Sequence, residues 1–296
     1  MKTELKIILM VWTLLLPAVG QAEPASGPAK KEYPFWRLVA KSYLIVEGKI
    51  DVPVAAVQKA EQNGEHEYVV VTVAIDRALK GSPDSPPSGF RYYTDAEYYG
   101  GVSRQTILAM NGQPVILFLQ KAEGKWYLAA NASETMQSAS EALATRIREE
   151  TALQEKLIQE SDHYAGANVL PKESEVQSLI ELMVAKRIDP GGAQAVYESL
   201  IGLGKEAIPA MVKYMDDRRK LTIPKITLEP WWPDAEEGLI HYGPETVTDV
   251  MSIALMALTD ESLTSIYNGG TELERQQAVR IWKIQERRTY GHDVKH

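Results

Sequence analysis

Residues 68–81 read YVVVTVAIDRALKG. Val69, Val71, Val73 and Ile75 fall on one face of an extended chain, so that face is apolar throughout. A helix would scatter the same residues around its circumference. The run is β-branched and long for a strand, which suits a strand that curls around a barrel. Lys80-Gly81 closes it.

The same period recurs on either side. Upstream, Leu44, Val46 and Ile50 share one face while Glu47 and Lys49 occupy the other, a half-buried strand. A turn signal follows at Asn63-Gly64. Downstream, Ser82 to Gly89 is a Pro/Ser loop, and Phe90 to Tyr93 is a short strand. Val115 to Leu119 follows a turn at Gly112, and Ala122 to Lys125 turns the chain into Trp126 to Ala130. About five strands within residues 34–132 predict a small closed barrel.

The period becomes helical in residues 133–296. Glu134 to Glu160 has no Gly or Pro and is rich in strong helix formers. Ser174 to Arg187 is a second helix, ended by Asp189-Pro190-Gly191-Gly192. Ala193 to Leu203 and Lys205 to Asp217 form a pair around Gly204. Residues 218–243 interrupt the helices, because Pro224, Pro230 and Pro233 forbid a regular one. Helices resume at Pro244-Glu245-Thr246 with Val247 to Leu258. Thr271-x-x-Glu274 is a capping box for a last helix to about Arg288, on which Val279 and Trp282 share a face. The predicted fold class is therefore α+β in two modules, a β-barrel followed by an all-α module.

Two resemblances sit on these residues. Ala40-x-x-Tyr43-Leu44-Ile45-Val46-Glu47-Gly48-Lys49, then Arg77-Ala78-Leu79-Lys80-Gly81, then Gly112-x-x-Val115-x-Leu117-Phe118-Leu119 resemble the netrin-like, OB-type barrel of tissue inhibitors of metalloproteinases and their bacterial relatives. In the animal inhibitors an N-terminal cysteine chelates the protease metal. This chain has no cysteine, so only the fold carries over. Leu200 to Met211, with its glycine turn and Pro209 early in the second helix, resembles a HEAT-type repeat, which implies stacked helix pairs.

The first 22 residues read as a secretory signal. Lys2 and Lys6 give a positive start, and Ile7 to Leu16 form an apolar run too short to span a bilayer. Gly20-Gln21-Ala22 offers a cleavage site after Ala22, followed by a polar leader over residues 23–33. The expected location is periplasmic or secreted, with no membrane insertion after cleavage. The formal charge is −8. Residues 23–132 hold 12 acidic and 12 basic side chains, and residues 133–296 hold 27 acidic and 18 basic, so the excess of −9 belongs to the helical half. That balance excludes a nucleic-acid binder, which needs a basic face.

Chemistry is sparse. Five histidines, His66, His163, His241, His292 and His296, form no helical pair around a catalytic Glu. Ser161-Asp162-His163 are adjacent and cannot converge as a triad. Gly202-x-Gly204-Lys205 lacks the spacing and the Ser/Thr of a phosphate loop. No catalytic residue, cofactor or metal site is predicted. Two aromatic clusters are candidate interaction surfaces: Tyr92, Tyr93, Tyr98 and Tyr99, and the pair Trp231 and Trp232. Tyr92 and Tyr93 equally fit simple alternation across a strand, one inward and one outward, and the Trp pair equally fits a staple holding its loop to the helices.

The expected function is a non-catalytic protein-binding module. One version is an inhibitor or immunity-type protein that neutralises a secreted hydrolase or toxin, its acidic half meeting a basic patch on the partner. A hydrolase with a dispersed carboxylate or metal site, and an envelope-assembly factor, are the alternatives.

Overall fold

Strand β1 (Leu44–Asp51) is hydrogen-bonded along both edges, and this closes the barrel. On one side it pairs antiparallel with β2 (Tyr68–Lys80), from Ile45 opposite Lys80 to Asp51 opposite Thr72. On the other it pairs antiparallel with β4 (Pro114–Ala122), from Leu44 opposite Leu119 to Lys49 opposite Pro114. With β3 (Gly89–Tyr93) and β5 (Lys125–Leu128) the ring runs β1-β2-β3-β5-β4 and back to β1. A sixth strand, β6 (Met136–Ser138), extends the sheet from β4. A five-stranded closed barrel of this kind is compatible with an OB-type barrel. The computed structural model describes residues 33–290 apart from 64–67, 83–86, 123, 131, 186–189, 224, 229–239, 262, 264–265 and 267–269. The predicted signal segment and the leader through residue 32 lie outside the described residues.

The barrel must curl tightly at β1, and Gly48 is where it does. The register against β2 shifts between Glu47 and Gly48, and a Cβ on Gly48 would stand 2.3 Å from the carbonyl oxygen of Ala74. Only a residue without a side chain lets the two backbones approach so closely. Inside the barrel, Leu44, Val46, Val71, Phe90, Leu117 and Leu119 form one core. The faces of β1 and β2 follow the predicted alternation.

Strand β4 shows why alternation fails in the middle of the sheet. Val115 to Leu119 is an unbroken apolar run, and all five residues are buried. Val115, Leu117 and Leu119 fill the barrel. Ile116 and Phe118 point outward into a second core with Leu38, Val39, Ala144 and Ile147. Those partners come from helices α1 (Phe35–Lys41) and α4 (Glu141–Ala167). A strand covered on both faces reads as continuous apolar sequence. Each such side chain contributes roughly 1.5–3 kcal/mol by leaving water.

The helical layer has its own core around α8 (Val247–Thr259), in which every residue from Val247 to Met256 is buried. A helix apolar on all sides belongs at the centre of its layer. Helices α5 (Glu173–Val184), α6 (Pro190–Gly202), α7 (Ile208–Tyr214) and α9 (Glu272–Tyr290) surround it. Its buried Asp249 accepts from the backbone N–H of Thr246 at 3.1 Å and takes a two-pronged ion pair from Arg275 at 2.7 and 3.0 Å. Val279 and Trp282 of α9 both turn into this core, and Thr271 and Glu274 form the expected cap.

Helix α1 joins the core outside β4 to the core of the helical layer. The amine of Lys80, at the end of β2, donates to the carbonyls of Val39 at 2.6 Å and Ser42 at 2.8 Å. Gln154 of α4 donates to the Trp36 carbonyl at 2.9 Å, and Gln277 of α9 donates to the Ala40 carbonyl. Ion pairs Arg280–Glu155 at 2.7 Å and Arg288–Glu150 at 2.6 Å tie α9 to α4.

Several elements differ from the expectation. Phe35 to Lys41, expected only as a short apolar stretch, is a helix. Between β1 and β2 the chain forms α2 (Val54–Asn63) before the Asn63-Gly64 turn signal. Two further elements were not anticipated between β3 and β4, a 3-10 helix over Ala96–Tyr99 and α3 (Arg104–Ala109), which Ser103 caps. The helix expected from Glu134 begins at Glu141, because Met136 to Ser138 adds to the barrel edge and Ser140 caps the helix with its hydroxyl. That helix runs on to Ala167. The second half is not all-α: β7 (Ile226–Leu228) and β8 (Ile240–Tyr242) pair antiparallel within the proline-interrupted stretch. Pro244 lies before the α8 start instead of in its first turn, and the cap is Thr246 with Asp249.

Candidate functional site

Strands β3 and β5 run parallel and share a single register pair, Arg91 opposite Tyr127. Two strands that touch at one point diverge beyond it, and a groove of about 500 Å³ opens there. Tyr68 and Tyr93 are register partners across β2 and β3, with ring centroids 5.1 Å apart and planes tilted by 43°. Tyr127 meets Tyr68 edge-on at 5.7 Å and 79°. The three rings thus form one cluster on the outer wall of the barrel. Edge-on and tilted contacts are the favoured geometries for such rings. Arg91 and Gln120 stand beside them in the groove.

The cluster continues along β2 into a row of uncharged residues, whose register partners Arg91, Asp51 and Lys49 form a charged rim. Along β2 the outward residues Tyr68, Val70, Thr72 and Ala74 are all exposed, Tyr68 at 54% and Val70 at 57%. A large exposed apolar patch rimmed with polar groups marks interaction surfaces more often than chance. Tyrosine suits such a surface, since its ring buries apolar area and its hydroxyl finds a polar partner.

Tyr92 and Tyr93 divide as alternation requires. Tyr92 is 1% exposed and donates its hydroxyl to the Val102 carbonyl at 3.1 Å. Burial pushes its phenol up to about 12. It is therefore a barrel-core residue that floors the groove, while Tyr93 joins the outer cluster. Tyr98 and Tyr99 lie in the 3-10 helix Ala96–Tyr99, with side chains outside the described residues. Trp231 and Trp232 lie outside the described residues altogether. Tyr68 and Tyr127 were not singled out from the sequence. They sit 59 positions apart and meet only because β3 and β5 pair in parallel.

Among the described residues, those weighed for chemistry do not converge. His163 is exposed on α4, and its neighbour Asp162 accepts an ion pair from Lys283 at 2.7 Å. Asp216 also pairs with Lys283, whereas Asp217 pairs with Arg219 at 2.7 Å. Gly204 takes a left-handed φ of 76° in the turn after α6. His66, His292, His296, Glu236 and Glu237 lie outside the described residues, as does the His241 side chain. Among the described residues, no group of three or more His, Asp or Glu side chains is placed to hold a metal ion. No helix among them is long and apolar enough to cross a membrane.

No protein-family model, curated protein or solved structure matches this chain. Its function is therefore argued from the geometry of this tyrosine face.

Proposed function

We propose that this chain is a non-catalytic protein-binding module of the periplasm or the exterior, which uses the tyrosine face of a netrin-like, OB-type barrel to hold a partner protein. The observation that carries this is the contact of Tyr68 with both Tyr93 and Tyr127 at the head of an exposed row of uncharged residues on β2. Rigid aromatic clusters provide most of the binding energy in many interfaces. The HEAT-like helical half, with its net charge of −9, favours a partner with a basic patch. An inhibitor or immunity-type role against a secreted hydrolase or toxin fits both surfaces.

The test is affinity capture from cell-envelope extract with the tagged chain, at low and high salt. A protein partner held at low salt and weakened at high salt is the expected result. Absence of any salt-sensitive protein partner overturns the electrostatic part of the proposal.

A further inference from the structure

A second groove lies on the seam between barrel and helices. Two cavities, of about 470 and about 310 Å³, meet there and share Tyr43, Leu273 and Gln277. Tyr43 stands between them 41% exposed, with Trp126 at 6.0 Å between ring centroids. Lys41 and Lys121 line the larger cavity, and Lys80 lines the smaller. This concentration of amines is notable in a chain with an acidic excess.

None of the three amines is in an ion pair among the described residues. Lys41 lies over the Tyr33 ring at 5.7 Å, Lys121 over the Trp126 ring at 5.5 Å, and Lys80 is spent on two carbonyls. They line a trough together with the side-chain amides of Gln120, Gln276 and Gln277. Two carboxylates also line it, and both are engaged: Glu274 caps α9 through Thr271, and Glu155 pairs with Arg280 at 2.7 Å. Amides both donate and accept, as a peptide backbone requires.

We propose that this seam groove binds an acidic segment of polypeptide in extended form, with carboxylates on Lys41 and Lys121, apolar parts against Tyr43, and backbone groups on the glutamine amides. Two cavities joined at Tyr43, Leu273 and Gln277 offer more contact to a chain than to a compact anion. The charge of the helical half opposes an acidic ligand at long range. That repulsion is screened beyond about 8 Å at physiological ionic strength, whereas contacts inside the groove are screened much less.

The buried amines provide a signature. Burial lowers Lys41, assisted by Arg37 of the same helix. Burial, assisted by Arg280 of α9 and opposed by Glu155 and Glu150 of α4, brings Lys80 down to about 7. Carboxylates bound in the joined cavities would raise Lys80 through space, while it keeps its two carbonyls, so binding near neutral pH takes up protons.

The test uses a fluorescein-labelled hexaglutamate peptide, the full chain and fluorescence anisotropy, with calorimetry in buffers of different ionisation enthalpy. Saturable binding with proton uptake is expected. The pair Lys41→Gln and Lys121→Gln should weaken it about tenfold or more, equivalent to about 1.4 kcal/mol. Lys156→Gln, an exposed control on α4, should leave it unchanged, and so should Tyr93→Ala with Tyr127→Ala, because the tyrosine groove shares only Gln120 and Ala130 with the larger cavity and neither tyrosine lines it. Lys121→Glu reverses an exposed charge and decides the case alone if Lys41→Gln does not fold. Absence of saturable binding, equal binding by the lysine variants, or displacement by inorganic phosphate as readily as by unlabelled peptide would overturn the proposal.

Discussion

The amine of Lys80 donates to the carbonyl of Val39 at 2.6 Å, joining the last residue of β2 to the last turn of α1. The second bond, to Ser42 at 2.8 Å, makes one side chain the clasp between the barrel and the helix that joins the core outside β4 to the helical core. Two acceptors need two donors, which a neutral amine still has. Lys80→Met leaves two buried carbonyls without that donor, and should lower stability by roughly 2 kcal/mol in urea unfolding near pH 7. The pH profile is a second readout. The folded-state value is about 7, against about 10.4 for an unfolded lysine. Between these the unfolded chain binds more protons, so the Lys80 contribution grows as pH rises through that window and is lost as pH falls towards 7. Wild type should gain on Lys80→Met across it. Above pH 10, Tyr33, Tyr92 and Tyr197, raised to about 12 by burial, work in the opposite direction.

Gly48 sets the curl of β1. Gly48→Ala drives a methyl into the Ala74 carbonyl and should cost about 1–3 kcal/mol by strand displacement. Gly202→Ala, at the end of α6 where a Cβ meets nothing within 4 Å, should be neutral or slightly stabilising. Paired thermal melts of the two variants check the contrast; equal losses would contradict it.

The pair Asp249–Arg275 is buried on both sides, at 1% and 7% exposure. Asp249→Ala leaves the buried guanidinium only the more exposed Glu245 carboxylate at 3.2 Å and removes the α8 cap, and should destabilise by about 3 kcal/mol. A double replacement, Asp249→Ala with Arg275→Met, should recover part of that loss in denaturant unfolding, because no charge is left buried alone.

Tyr92 and Tyr93 are neighbours with opposite consequences. Tyr92→Phe leaves the Val102 carbonyl unpaired and should cost about 1 kcal/mol of stability with no effect on partner capture. Tyr93→Ala should do the reverse. Unfolding curves and capture assays on the same two variants separate the roles.

How far the sequence discloses this molecule depends on which contacts are local. The faces of β1 and β2 are legible because alternation is a property of neighbouring residues. Residues Val115 to Leu119 are legible as a strand, but the covering of both faces is not, since α1 and α4 lie far away in sequence. Strand β6 is hidden because Met136 to Ser138 borders a long helix-forming run, although Ser140 is a visible cap signal. Helix α2 could have been found: Val54 to Asn63 is rich in Ala, Gln and Lys. The tyrosine face was half legible. Tyr93 stood out in its cluster, but Tyr68 and Tyr127 join it through cross-strand pairings that no local pattern reveals. The seam lysines are hidden for the same reason, and Lys80-Gly81 looked only like a strand end.

The central claim is that the outer tyrosines hold a partner protein. Its most direct measurement is affinity capture with wild type and with the triple variant Tyr68→Ala, Tyr93→Ala and Tyr127→Ala, each confirmed folded by circular dichroism. Wild type should retain a partner that the variant releases, with a loss of about 2 kcal/mol or more in affinity, as expected for an aromatic hot spot. Equal retention by a folded triple variant would contradict the claim.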